Sequence, residues 1–222
     1  MDILKEILAN NSGLTPSMQT VFFMTMLMFL PTIVIMMTSF VRIIITFSFM
    51  KSALGAQQTI PNQILIGLAL CMTLFIMSPV IEDINKNSIQ PYMNEEISDE
   101  EAYEELKKPI SEFLLKQTRE EDLELFIKNS SIATENVSRE ELPLNIIVPA
   151  FAISELKTAF QIGFIIYVPF LVIDLIVSST LMSMGMFMLP PAMISLPFKL
   201  LLFVMVDGWN LLVKSLIESF MG

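Results

Sequence analysis

The chain has 222 residues, of which 54% are apolar and only 16% charged, against roughly 25% charged in an ordinary soluble domain. It carries 18 Met and 17 Phe, no His and a single Cys, with a net charge of −10. A lone Cys71 excludes an intrachain disulfide, the lack of His removes the commonest general base and zinc ligand, and the apolar content argues against disorder, so the composition points to a small integral membrane protein.

The charge is segregated. Residues Glu82 to Glu141 hold 17 acidic and 7 basic groups and so the whole net charge; the remainder is neutral. No basic footprint for nucleic acid exists. The pattern predicts an all-α integral membrane fold of about four long apolar helices. Residues 1–81 form an N-terminal apolar hairpin with a short amphipathic helix. Residues 82–142 form an acidic extracytoplasmic helical domain, and residues 143–222 a C-terminal hairpin with a methionine-rich loop.

Along the chain, Ile3, Leu4, Ile7 and Leu8 have the spacing of a short amphipathic helix over residues 2–10. Asn11, Ser12 and Gly13 end it, and Thr15-Pro16 starts the next helix. No charge occurs from Ile7 to Val41, and a spanning helix is placed near Met18 to Val41, kinked at Pro31. Residues 1–19 lack the pattern of a cleavable signal, so this arm is expected to serve as its own insertion signal. Arg42 and Lys51, followed by Gly55, Gln57, Gln58, Pro61 and Asn62, read as a polar turn with positive flanks. The positive-inside bias puts that turn in the cytoplasm and the acidic segment outside.

A second charge-free run covers Ser52 to Ile81, with Gln63 to Ile81 as its core. The acidic segment has Phe113, Leu114, Leu115, Leu123, Leu125, Phe126 and Ile127, which predicts two or three short amphipathic helices, one opened by Pro109. The third arm begins near Pro143. Its apolar runs, Thr158 to Ile173 and Leu175 to Phe198, are interrupted by Asp174 alone. Pro190-Pro191 and Pro197 are expected to break the helix before a last one at about Leu200 to Phe220. No internal repeat is visible.

Several motifs are more specific. Thr38-Ser39-Phe40-Val41-Arg42-Ile43-Ile44-Ile45 is followed by Ala53-Leu54-Gly55-Ala56-Gln57-Gln58 and Pro61-Asn62-Gln63. Later come Ile153-Ser154-Glu155-Leu156-Lys157-Thr158-Ala159-Phe160, Pro169-Phe170-Leu171-Val172-Ile173-Asp174, Gly185-Met186-Phe187-Met188-Leu189-Pro190-Pro191 and Val206-Asp207-Gly208-Trp209. In this order and over nearly the whole chain outside the acidic segment, the motifs resemble the FliP family of flagellar type III export-gate subunits, which is related to a subunit of the virulence injectisome.

The resemblance implies a non-enzymatic subunit of a secretion channel, without cofactor or metal. It implies a homo-oligomer, a pentamer in the family, assembled with FliQ and FliR and working beside FlhA and FlhB. The cargo would be unfolded flagellar rod, hook and filament proteins. The place would be the bacterial inner membrane, as a multi-pass protein of the flagellar basal body.

Met182, Met184, Met186 and Met188 recur every second residue, and a helix would spread them over several faces. Gly185, Pro190 and Pro191 argue for a turn there. On residues alone, apolar filler between helices is the preferred reading. The resemblance implies instead a gasket at Met186, Phe187 and Met188, hinged at Gly185, Pro190 and Pro191. Thioether side chains are soft enough to follow varied cargo, and an apolar constriction excludes ions by dewetting. Phe187 stands where many members have another Met and is stiffer.

Arg42, Glu155, Lys157, Asp174, Lys199 and Asp207 lie in or beside apolar runs. An unpaired charge at mid-bilayer costs about 2.5–3.5 kcal/mol, so pairing is expected. They are read as inter-subunit or buried charge pairs with an architectural role, and a proton relay is the alternative. For Arg42 and Lys199 the plainer reading is the cytoplasmic end of a helix. Cys71 is expected to be a small core residue.

No catalytic residue is assigned. No P-loop occurs. Asp174 and Asp207 would serve an intramembrane aspartyl protease only if brought together, and the sequence around Asp207 does not resemble that family's motif. A small-solute or ion transporter subunit remains the alternative function. Pro31 and Pro190-Pro191 mimic broken helices, but the two halves do not match as inverted repeats do.

Overall fold

Every regular element in the computed structural model is helical, as long apolar runs with 3.6-residue spacing require when no strand partner is available. The structure describes residues 16–57, 59–130, 139 and 142–221; the amphipathic helix expected over residues 2–10 lies outside them. The chain divides into two units, Met1–Met36 and Met37–Gly222. In the first, helix α1 (Pro16–Met36) starts at the expected proline and contains Pro31. It ends five residues before the expected Val41.

The second unit begins with α2, Phe40–Ala53, where a polar turn had been expected. Phe40, Ile43, Phe47 and Met50 recur at three, four and three residues and are all buried. That stripe outweighs the two charges as a structural signal. Arg42 and Lys51 are therefore helical and buried, so they are not loop charges of the kind the positive-inside rule counts. The helix closes with two bonds, Ala56 N–H to the Lys51 carbonyl (3.1 Å) and Gly55 N–H to that of Ser52 (3.0 Å). This is the Schellman arrangement, and it places Gly55 at φ +71°.

Helix α3 runs from Asn62 to Met93 through a π-turn at Asn85–Ile89. Cys71 on it is exposed rather than a core residue. Helix α4 (Asp99–Gln117) starts at a Ser98–Glu101 capping box, and Pro109 lies inside it instead of opening it. Three acidic residues in the first turn complement the helix dipole, which fixes the start ten residues before the proline. Helix α5 is Glu120–Asn129.

Helix α6 is continuous over 40 residues, Leu144–Ser183, about 60 Å at 1.5 Å per residue. That is twice the roughly 30 Å hydrocarbon core of a bilayer. Its first third is buried at Ile146, Ile147, Ala150 and Phe151, which form one core with Leu114 of α4 and Leu123 of α5. The acidic segment thus buries its apolar face on α6, within the same compact unit. Further on, α6 exposes Phe164, Ile165, Leu175 and Ile176.

Helix α7 (Pro191–Met205) contains Pro197 without breaking. The break falls later, where Asp207 adopts φ +49° and the chain turns by 62° into α8 (Gly208–Met221). By length and composition α3 and α6 are able to cross a membrane, and the bent α7–α8 pair adds a third span if counted as one.

Helix α2 lies along α6 in the same direction: Arg42 meets Glu155 and Phe49 meets Phe160 and Gly163. A Cβ on Gly163 would fall 2.5 Å from the Phe49 ring. Gly163→Ala is therefore expected to lower stability by about 1–3 kcal/mol, the usual cost of overpacking, read as an earlier thermal unfolding of the detergent-solubilised protein. Gly67→Ala, inside α3 with nothing within 4 Å of the new methyl, is expected to raise the transition slightly, by up to about 1 kcal/mol of helix propensity.

Candidate functional site

Two ionic clusters, one buried and one partly buried, lie at the two ends of α2, and a bare loop caps the α6–α7 hairpin beyond the second. The first cluster surrounds Arg42, which is 3% exposed. Its Nε donates to Glu155 Oε2 at 2.9 Å. Nη2 donates to Glu155 Oε1 and to Gln117 Oε1 at 3.1 Å. Nη1 donates to the Ser219 carbonyl and hydroxyl, both at 3.0 Å. The guanidinium also lies 3.8 Å from the centre of the Phe220 ring. All five donors of the group have acceptors. Glu155 is fully buried, and Gln117 Nε2 donates to the Phe220 carbonyl at 3.2 Å. One side chain thus ties α2, α4, α6 and α8 together.

The second cluster joins the other end of α2 to the hairpin. Lys199 Nζ donates to Asp174 Oδ2 at 2.6 Å and to the Ala53 carbonyl at 3.1 Å. The Ser195 hydroxyl donates to Asp174 Oδ1 at 2.6 Å. Lys51, near the end of α2, donates to Asn62 Oδ1 at 2.7 Å.

The loop follows from local chemistry. Gly185 sits at φ +77°, a conformation that only glycine adopts without strain. Met186 N–H bonds the Leu181 carbonyl and Gly185 N–H that of Met182, both at 3.0 Å, a second Schellman closure. Pro191 occupies the first turn of α7, where its missing N–H has no cost. Between these stops the chain displays Phe187 at 77% exposure and Met188 at 96%, while Met186 is half-buried.

The six expected charges separate into three kinds. Arg42 with Glu155 is a buried pair and Lys199 with Asp174 a partly buried one, both closed within one chain; neither Arg42 nor Lys199 marks a loop end. Lys157 meets Glu121 of α5 at 3.5 Å on the surface. Asp207 is exposed at the α7–α8 corner, and no ion pair involves it among the described residues. Both Asp174 oxygens are taken by Ser195 and Lys199.

Among the described residues no group of three or more Asp, Glu or Cys side chains is placed to hold a metal. Gln117, Ser195, Ser219 and Phe220 were not anticipated. Ser195, four residues before Lys199, had a visible signal in that helical spacing; the other three come from parts of the chain remote from Arg42.

Breaking a buried pair leaves a desolvated charge and costs about 3–5 kcal/mol, whereas replacing both partners with apolar groups costs far less. Arg42→Met and Glu155→Met are each expected to lower the unfolding temperature strongly, and the double variant less than either, measured on the detergent-solubilised chain.

A model described as the FliP family matches residues 23–216. The chain is 57% identical over 190 residues to the flagellar biosynthetic protein FliP of Bacillus subtilis, covering 86% of each protein. It is 52% identical over 206 residues to that of Pectobacterium carotovorum, covering 93% of this chain and 80% of the relative. With that of Aquifex aeolicus it shares 46% identity over 216 residues, covering 97% and 90%.

Proposed function

The chain belongs to the FliP family of flagellar biosynthesis proteins, and on that premise we propose that it is a wall subunit of the flagellar protein export channel. It is a non-enzymatic component whose apolar helices suit a membrane. In the proposed role several copies of the chain, a pentamer by analogy with the family, assemble with FliQ and FliR in the bacterial inner membrane at the basal body. FlhA and FlhB stand beside them, and unfolded rod, hook and filament proteins pass through the lumen.

The single observation that carries the reading is the loop. Apolar side chains are also exposed along the helices, where they suit lipid or partner helices, whereas those of this loop stand at the tip of a turn. Here Phe187 and Met188 project almost bare from a turn whose backbone is fixed on both sides, by Gly185 and by Pro190-Pro191. In a ring of copies such side chains meet across the lumen and close it to water and ions. Unbranched thioethers then give way to a passing polypeptide and return. The ion pairs of Arg42 and Lys199 hold the walls, and the loop does the sealing.

Replacing Met186, Phe187 and Met188 together by Gly or Ser is expected to make cells leak small ions and dyes while the protein still assembles. Variants that assemble normally and leak no more than the parent would remove the seal from this loop.

A further inference from the structure

A second feature concerns what holds that loop in place, and it rests on the sealing role just proposed. The two arms of the hairpin are joined across by Asp174, ten residues before Met184, and Lys199, ten residues after Leu189. Toward the loop the seam between them opens into an apolar groove of about 440 Å³. Ile173, Ile176, Val177 and Leu181 line it from α6, and Ile194 and Phe198 from α7. The Asp174, Ser195 and Lys199 crossing is the hydrogen-bonded link between the arms beside that groove.

Lys199 has two acceptors of different kinds. One is a carboxylate, Asp174 Oδ2; the other is the main-chain carbonyl of Ala53. Ala53 is the last residue of α2, and the final carbonyls of a helix have no partner within it. The Schellman closure there uses the carbonyls of Lys51 and Ser52, which leaves that of Ala53 to Lys199. The ammonium therefore sits at the negative end of the α2 dipole. The same contact region includes Leu196 of α7, whose Cδ1 would lie 3.6 Å from a Cβ on Gly55.

We infer that Lys199 is a positioning residue that caps the C-terminus of α2 and thereby fixes the loop-bearing hairpin to the Arg42-anchored helix. Neutralising Asp174 is its lesser task. Asp174 and Ser195 orient the ammonium; the Ala53 carbonyl is what the hairpin is fastened to. An ammonium serves both acceptors at once. A carboxylate at position 199 would instead set acceptor against acceptor.

The test compares an ordinary ion pair with this cap. The full-length chain, carrying Cys71→Ser, is expressed in a flagellated bacterium that lacks its own copy. Spin labels are placed at Ser48 of α2 and Leu201 of α7, both exposed, and the distance distribution is read in membranes beside ion leak. Lys199→Met is expected to raise the displaced population by about tenfold or more, the worth of a lost charge-assisted bond. The exchange Asp174→Lys with Lys199→Asp is expected to do the same, although it preserves the pair. Asp174→Asn, whose single amide oxygen still accepts from Lys199 while its NH2 can donate to the Ser195 hydroxyl, is expected to displace the hairpin less than Lys199→Met.

An exchange variant with the parent distance would overturn the cap, since pairing alone would then suffice. An Asp174→Asn hairpin displaced as far as that of Lys199→Met would overturn it equally, and this isosteric variant keeps the measurement decisive should the exchange fail to accumulate. A displaced hairpin without leak supports the cap while counting against the seal, so the two readings fail separately.

Discussion

Arg42 lies among four helices with almost no access to water, and a cation so placed is stable only if its donors are saturated. The requirement is geometric as well as energetic. A planar guanidinium asks for acceptors in fixed directions, and here they come from α4, α6 and α8. Such a site contributes less to stability than to the choice among arrangements, because apolar replacements of equal volume are often tolerated. Any packing that shifts α8 or α4 leaves buried N–H groups unpaired. The cluster therefore fixes how α2 lies on α6, and with it the direction in which α2 ends.

From that end the second cluster takes over. Helix α6 separates the two: Glu155 and Asp174 are about 28 Å apart along the axis at 1.5 Å per residue. At one end the helix is buried in a mixed core shared with the acidic segment; at the other it exposes apolar side chains and carries the loop. One rod joins a half packed against the charged segment to a half with apolar side chains outside, which is why neither charge segregation nor hydropathy alone describes it. The acidic segment contributes charge on its outer side and Leu114 and Leu123 on its inner side.

The sequence made some of this legible and hid the rest, for physical reasons. The all-helical class, the start of α1 at Pro16 and the turn at Gly185 follow from local rules, and local rules are what a sequence displays. The positions of Arg42 and Lys199 in apolar runs announced that they needed partners, but the partners lie far along the chain. The failures have one character. The charges of Arg42 and Lys51 point to a turn, but the apolar stripe of Phe40, Ile43, Phe47 and Met50 is the stronger structural signal. Pro109 and Pro197 were read as boundaries, whereas a strong capping box and tertiary packing carry α4 and α7 through them. The break between α7 and α8 was missed because Asp207, not glycine, takes the left-handed turn.

The span between Arg42 and its acceptors has a consequence for biosynthesis. Ser219 follows Arg42 by 177 residues, a delay of about 9–35 s at ribosomal rates of roughly 5–20 residues per second. During that interval Gln117 follows Arg42 by 75 residues and Glu155 by 113, so the α8 acceptors are the last of the guanidinium's partners to be made. The group must be kept hydrated, or lodged among phospholipid headgroups, until the last turn of the polypeptide emerges. The cluster is therefore completed by α8, after its α4 and α6 acceptors are already in place.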